Sequence, residues 1–154
     1  MLFSSGGKAI RIKESDVRAM GRTARGVRGI KLKKEEQLIS LIIPSESSEI
    51  LLSSENGYGK RSKIADYSII GRGGQGVICM KGSTRNGKLV GAIEISSGDE
   101  VILISDQGTL VRISSNEVSL QGRNTLGIKL ISLADEEKLV GIAAVNELED
   151  DTDN

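Results

Sequence analysis

Residues 100–145, EVILISDQGTLVRISSNEVSLQGRNTLGIKLISLADEEKLVGIAAV, decide the fold. Glu100 to Ser105 is a short apolar run, and Asp106-Gln107-Gly108 is a turn. Thr109 to Ile113 then alternates with a period of two, so the pair predicts a hairpin. The polar segment Ser114 to Glu117 leads into a Gly122-Arg123 loop, and Leu126 to Ile131 predicts another strand. The charged turn Ala134 to Lys138 precedes a last strand, Leu139 to Val145. Four short strands in so few residues form the pattern of a propeller-like blade.

The same unit occurs three times. Gly21-Arg22, Gly71-Arg72 and Gly122-Arg123 recur at spacings of 50 and 51 residues. Gly26, Gly76 and Gly127 follow them. Arg11, Arg61 and Arg112 keep the register, as do Asp16, Asp66 and Glu117, and the turn glycines Gly7, Gly57 and Gly108. The strands Leu38–Ile42, Leu89–Ile93 and Leu139–Ala143 repeat as well. Independent anchors agreeing within one residue define repeats of roughly 1–49, 50–99 and 100–145. The expected fold class is all-β, with about three four-stranded blades. Only Asp16 to Met20 and its equivalents could form a helical turn, and glycine ends each one. Closed propellers use 4–8 blades, so three imply an open or partial ring. Either the array continues beyond this chain, or the chain completes it by self-association.

The 154 residues suffice for one domain with a core. Net charge is zero but unevenly distributed. The segment 146–154 carries Glu147, Glu149, Asp150, Asp151 and Asp153 with no basic residue, which leaves 21 basic against 16 acidic groups, a net of +5, in residues 1–145. The body is therefore basic, and the acidic tail is expected to stay disordered. With no His in the chain, His general-base chemistry and His-ligated metal sites are excluded. No cofactor or metal is expected. Cys79, the single cysteine, lies in the apolar stretch Val77 to Met80 and reads as a buried, inert thiol. No apolar run approaches 18 residues, and the N-terminus has no signal-peptide pattern, so a cytoplasmic, non-membrane protein is expected.

The candidate site is the set of Gly-Arg loops. Val17 to Lys34 carries Arg18, Arg22, Arg25, Arg28, Lys31, Lys33 and Lys34 without one acid. Tyr67 to Ile93 carries Arg72, Lys81, Arg85 and Lys88, and Val118 to Ala134 carries Arg123 and Lys129, both again unopposed. Equivalent loops should emerge on the same side of successive blades, giving a basic strip able to neutralise the phosphates of duplex DNA. For any single cation, plain solvation of a β surface is the favoured reading; the three loops in register carry the argument. Single-strand and RNA binders use aromatic platforms, and only Tyr58 and Tyr67 are realistic candidates here. Gly71-Arg72-Gly73-Gly74-Gln75-Gly76 matches the spacing of a dinucleotide-binding fingerprint, but a strand follows it where that chemistry needs a helix, so the match is spurious.

Phe3 to Lys8, Glu14 to Gly21, Gly26 to Ile30, Asn56 to Arg61, Thr84 to Gly87, Gly108 to Arg112 and Gly122 to Thr125 resemble the C-terminal β-pinwheel domain of the DNA gyrase A protein. The resemblance covers essentially residues 2–145 and extends to the acidic tail. It implies a six-bladed ring that binds and wraps duplex DNA around its rim to support negative supercoiling, of which this chain is similar to the last three blades. It also implies, as partners, double-stranded DNA, the rest of the gyrase A protein, and the gyrase B protein. The family's wrapping motif, Gln-Arg-Arg-Gly-Gly-Lys-Gly, is absent. Gly71, Arg72, Gly73, Gly74, Gln75 and Gly76 form a degenerate relative with Gln75 in place of the lysine. Neither an Arg-Tyr cleavage segment nor a Walker-type loop is found, so the chain is expected to be a non-catalytic part of an ATP-dependent type II topoisomerase. Two alternatives remain: the C-terminal domain of the topoisomerase IV A protein, and a non-catalytic β-repeat scaffold for protein partners.

Overall fold

The computed structural model describes residues 1–145, and the acidic tail expected over 146–154 lies outside them. The described chain is all β apart from three single 3-10 turns, arranged as three antiparallel sheets. The first contains β1 (Leu2–Ser4), β2 (Lys8–Ile10), β3 (Leu38–Leu41) and β6 (Val77–Ile78), in the order β3-β1-β2-β6. The second contains β4 (Glu49–Ser54), β5 (Tyr58–Lys63), β7 (Leu89–Ile95) and β10 (Ile128–Lys129), in the order β10-β5-β4-β7. The third contains β8 (Glu100–Ser105), β9 (Leu110–Ser114) and β11 (Leu139–Val145), in the order β11-β8-β9.

The repeats are therefore interlocked. Three strands of each sheet come from one repeat, and the outer strand of the first two comes from the next. Val77 pairs with Ala9 and Ile78 with Lys8; Ile128 pairs with Gly59 and Lys129 with Tyr58. This differs from the expectation of self-contained four-stranded blades. The cause is the glycine that ends each Gly-Arg loop: Gly76 and Gly127 take φ of +74° and +76°, which turns the chain onto the open edge of the preceding hairpin. The strand expected over Leu126 to Ile131 shrinks to Ile128–Lys129. The carbonyls of Leu126 and Gly127 are taken by the Arg85 guanidinium, and Leu126 also accepts from Asn86 Nδ2 at 2.7 Å.

The 3-10 turns fall at Glu14–Asp16, Ile64–Asp66 and Ser115–Glu117, about two residues ahead of the helical turn expected over Asp16 to Met20. The third is fixed by a capping box between Ser114 and Glu117.

Two cores separate the three sheets. Phe3, Ala9, Ile50, Leu52, Tyr67 and Cys79 fill the first; Leu51, Ile95, Val101, Leu103, Val118 and Leu139 fill the second. Along β4, Ile50 and Leu52 face one core and Leu51 the other, so period-two alternation leaves all three fully buried. Each such side chain contributes about 1.5–3 kcal/mol of transfer free energy. Strand β8 has a core on one face only: Val101 and Leu103 are buried while Ile104 is exposed. Cys79 behaves as expected, since burial pushes its thiol up to about 12 and keeps it protonated.

Candidate nucleic-acid interface

The Gly-Arg loops are joined edge to edge. The Gly73 amide donates to the Gly29 carbonyl at 2.7 Å, and the Lys31 amide to the Gly74 carbonyl at 2.8 Å. The second of these contacts recurs at the next join, where the Lys81 amide donates to the Thr125 carbonyl at 2.9 Å. A continuous line of backbone thus runs from the first loop through the second to the third.

Charge along this line is not equally available. In repeat one, Arg18, Arg22, Arg25, Arg28, Lys31, Lys33 and Lys34 are all exposed. None of their side chains makes a hydrogen bond or ion pair among the described residues. In repeats two and three, Lys81, Lys88 and Lys129 are likewise exposed. Lys88 lines a shallow hollow with Lys33 and Lys34, where Glu35 and Glu36 also stand, so the strip meets acids at that end.

The arginines of repeats two and three hold neighbouring loops together. Arg72 Nε donates to the Asp16 carbonyl at 2.9 Å, with a longer contact from its terminal nitrogen to the Arg28 carbonyl at 3.4 Å. Arg123 makes the corresponding bond, to the Ile78 carbonyl, at 2.9 Å. Arg85 binds Asn86 and the carbonyls of Leu126 and Gly127, and its guanidinium lies 4.2 Å from the centre of the Tyr58 ring. Lys129 Nζ stands 6.0 Å from the same ring. Within Gly71 to Gly76, Gly76 is a packing glycine: a Cβ there would lie 2.2 Å from the Ala9 carbonyl oxygen. Arg72 is the fastener, Gln75 is exposed, and Gly71 and Gly74 face open space.

Two further groups escaped the sequence reading. Lys60 is fully buried, and its ammonium donates to the carbonyls of Gly122 (2.7 Å) and Arg123 and to Thr125 Oγ1 (2.9 Å). It therefore pins the third loop from beneath. Burial lowers its pKa from 10.5 to about 8. The available signal was register, because Ile10 and Val111 occupy the equivalent positions. Arg11 and Arg61 form the second group. Arg11 donates to the Tyr67 carbonyl at 3.2 Å and Arg61 to the Val118 carbonyl at 2.7 Å, tying each hairpin to the next repeat's 3-10 turn. Neither tyrosine offers a free stacking platform: Tyr67 is 1% exposed, and Arg85 covers Tyr58.

Comparison with known proteins agrees with this architecture. The chain matches the family described as "DNA gyrase C-terminal domain, beta-propeller" over residues 1–45, 48–96 and 99–146. It is 56% identical to the DNA gyrase A protein of Pseudomonas aeruginosa over 96% of the chain and 16% of that relative. It is 46% identical to the Escherichia coli K12 gyrase A protein over 99% of the chain and 18% of that relative. The chain thus spans about a sixth of the length of these curated relatives. A solved structure of the DNA gyrase A C-terminal domain superposes with a TM-score of 0.85 at 33% identity, over 93% of this chain and 49% of that one. The C-terminal domain of DNA topoisomerase IV superposes with a TM-score of 0.86 at 21% identity and shares the fold. Three interlocked β units with a line of Gly-Arg loops on their edge, matched along nearly their whole length, place this chain in the DNA gyrase C-terminal domain family of beta-propellers.

Proposed function

We propose that this chain is a duplex-DNA-binding module of a bacterial type II topoisomerase, the C-terminal region of a gyrase A protein, and that it guides DNA around its edge in support of negative supercoiling. One observation carries the reading: seven exposed, unbonded cations in repeat one open a line of loops that backbone hydrogen bonds make continuous through repeats two and three. Such a strip neutralises successive phosphates and releases their counterions without reading bases. The lack of a free aromatic face favours duplex over single strand.

On this reading the chain performs no chemistry itself. Its partners are double-stranded DNA, the remainder of the gyrase A protein, the gyrase B protein and, for this chain alone, a second copy of itself. It would act in the bacterial cytoplasm, where the DNA is. The relatives named as gyrase A proteins at 46–56% identity favour gyrase over topoisomerase IV.

Duplex binding by this chain should weaken steeply with salt, with a slope of about 0.9 per neutralised phosphate in the logarithmic plot. Fluorescence anisotropy on a labelled duplex measures it. Undetectable binding at low salt, or binding indifferent to salt, would overturn the proposal and favour a protein-interaction scaffold.

A further inference from the structure

The third Gly-Arg loop is built differently from the second. In the second, the Gly73 amide donates to the Gly29 carbonyl across the join. Its counterpart Asn124 makes no such bond. Neither the Asn124 amide nor that of Arg123 before it finds an acceptor among the described residues. The position beneath also differs. Ile10, the counterpart of Lys60 one repeat earlier, is apolar and fully buried.

Lys60 decides which way the third loop faces. Its ammonium draws the carbonyls of Gly122 and Arg123 inward. Thr125 Oγ1 completes the cage, accepting from Lys60 and donating to the Gly122 carbonyl at 2.9 Å. A trans peptide points its N–H opposite to its carbonyl, and no cis bond occurs among the described residues. Two successive carbonyls are turned in, so the two amides that share their peptide planes, those of Arg123 and Asn124, are turned out. The outer side is open: Gly122 and Asn124 are exposed, and a Cβ on Gly122 would meet nothing within 4 Å. Across the join, the Lys81 amide holds the Thr125 carbonyl, which sets an exposed lysine side chain beside the loop.

Charge favours an anion at this point. No carboxylate forms an ion pair with Lys60 among the described residues, and Asp66 acts on it only at longer range. A fully buried ammonium is poorly screened by water, so its field reaches the outer side of the loop. Paired outward amides are a general means of holding anionic oxygens, and they fix a phosphate in place without reading bases.

We propose that the outward amides of Arg123 and Asn124, backed by the Lys60 ammonium, bind one phosphate of the duplex backbone. This site rests on the duplex-binding reading and adds to it a contact that no exposed arginine makes. Lys60 is its positioning residue: it touches no phosphate, but it orients both donors and supplies the charge behind them. Lys81 flanks the bound oxygens. The second loop has no equivalent site, because its Gly73 amide is already bonded and Ile10 brings no charge.

Amide chemical shifts of the isotope-labelled wild type, titrated with a short duplex, test the site directly. The Arg123 and Asn124 amides should move and saturate together with binding followed by fluorescence anisotropy. Sodium chloride at matched ionic strength should not reproduce those shifts. Lys60→Met should lower the salt slope of duplex binding by about 0.9, the share of one phosphate. Wild-type affinity should also fall relative to the variant as pH rises through about 8, where the buried ammonium loses its proton. The groups that face Lys60 are Arg123, Asp66 and Cys79, and the thiol, raised to about 12, stays protonated there. Unmoved amides in a bound complex, shifts that chloride reproduces, or a folded variant with the wild-type slope and pH profile would overturn the site and leave duplex binding standing. If the variant does not fold, the wild-type titration decides alone. A wild type that binds no duplex at low salt overturns the duplex-binding reading and the site with it.

Discussion

Arg22 and Arg72 occupy the same place in the repeat, fifty residues apart, and meet different surroundings. Arg72 reaches back to carbonyls at Asp16 and Arg28 and fastens its loop to the preceding repeat. Arg22 finds no such partner among the described residues, and neither do Arg18, Arg25 and Arg28 around it. One motif therefore has two uses. Where a preceding blade is present, the arginine closes the join; where none is described, its charge stays available to solvent or phosphate. Counting cations by repeat therefore overstates the charge that repeats two and three leave free and understates their contribution to cohesion.

The sharpest way to break this comparison is to load both turns with a side chain. Gly76→Val must accommodate a Cβ 2.2 Å from a backbone oxygen as well as a positive φ, and should cost ~4 kcal/mol or more. Gly26→Val meets only the positive φ and should cost ~1–2 kcal/mol. Urea midpoints measure both, and equal losses would mean that the Gly76 approach is not close.

A smaller effect is expected from Arg72→Gln. It frees the Asp16 and Arg28 carbonyls and should cost ~1–3 kcal/mol of stability, with little change in the salt slope of DNA binding. A large change in that slope with no loss of stability would show Arg72 to be a phosphate contact instead.

Lys60 gives the smallest and most specific signal. Its folded pKa, about 8, lies below its ordinary 10.5, so between these values the unfolded chain holds more protons. Its contribution to stability therefore rises with pH across that window. Cys79, raised from 9.0 to about 12, acts in the opposite sense above pH 9. The difference between wild type and Lys60→Met isolates the lysine: wild type should gain on the variant from pH 8 to 10.5. A constant difference would mean that Lys60 is not desolvated in the fold.

The repeat, the hairpins and the turn glycines were legible because each recurs at a fixed spacing and follows a period of two. The exchanged strands were not. Val77–Ile78 and Ile128–Lys129 are two residues long and have no periodicity that could reveal which edge they join. The burial of Lys60 was not legible because composition cannot show that its ammonium lies beneath a loop rich in carbonyls. The cations of the candidate site could be counted in the sequence; their unequal freedom could not be read there, because it depends on which main-chain oxygens a guanidinium can reach.

That the free cations of repeat one carry the DNA contact is tested most directly by the salt dependence of duplex binding. Three proteins are compared: the wild type, the triple variant Arg22→Glu/Arg25→Glu/Arg28→Glu, and the double variant Arg72→Gln/Arg123→Gln. The triple variant should lose affinity at low salt, and its slope should fall by about 2.7, three phosphates at about 0.9 each. The double variant should keep the wild-type slope at temperatures where it remains folded. A triple variant with the wild-type slope, or a double variant that loses as much of it, would contradict the claim.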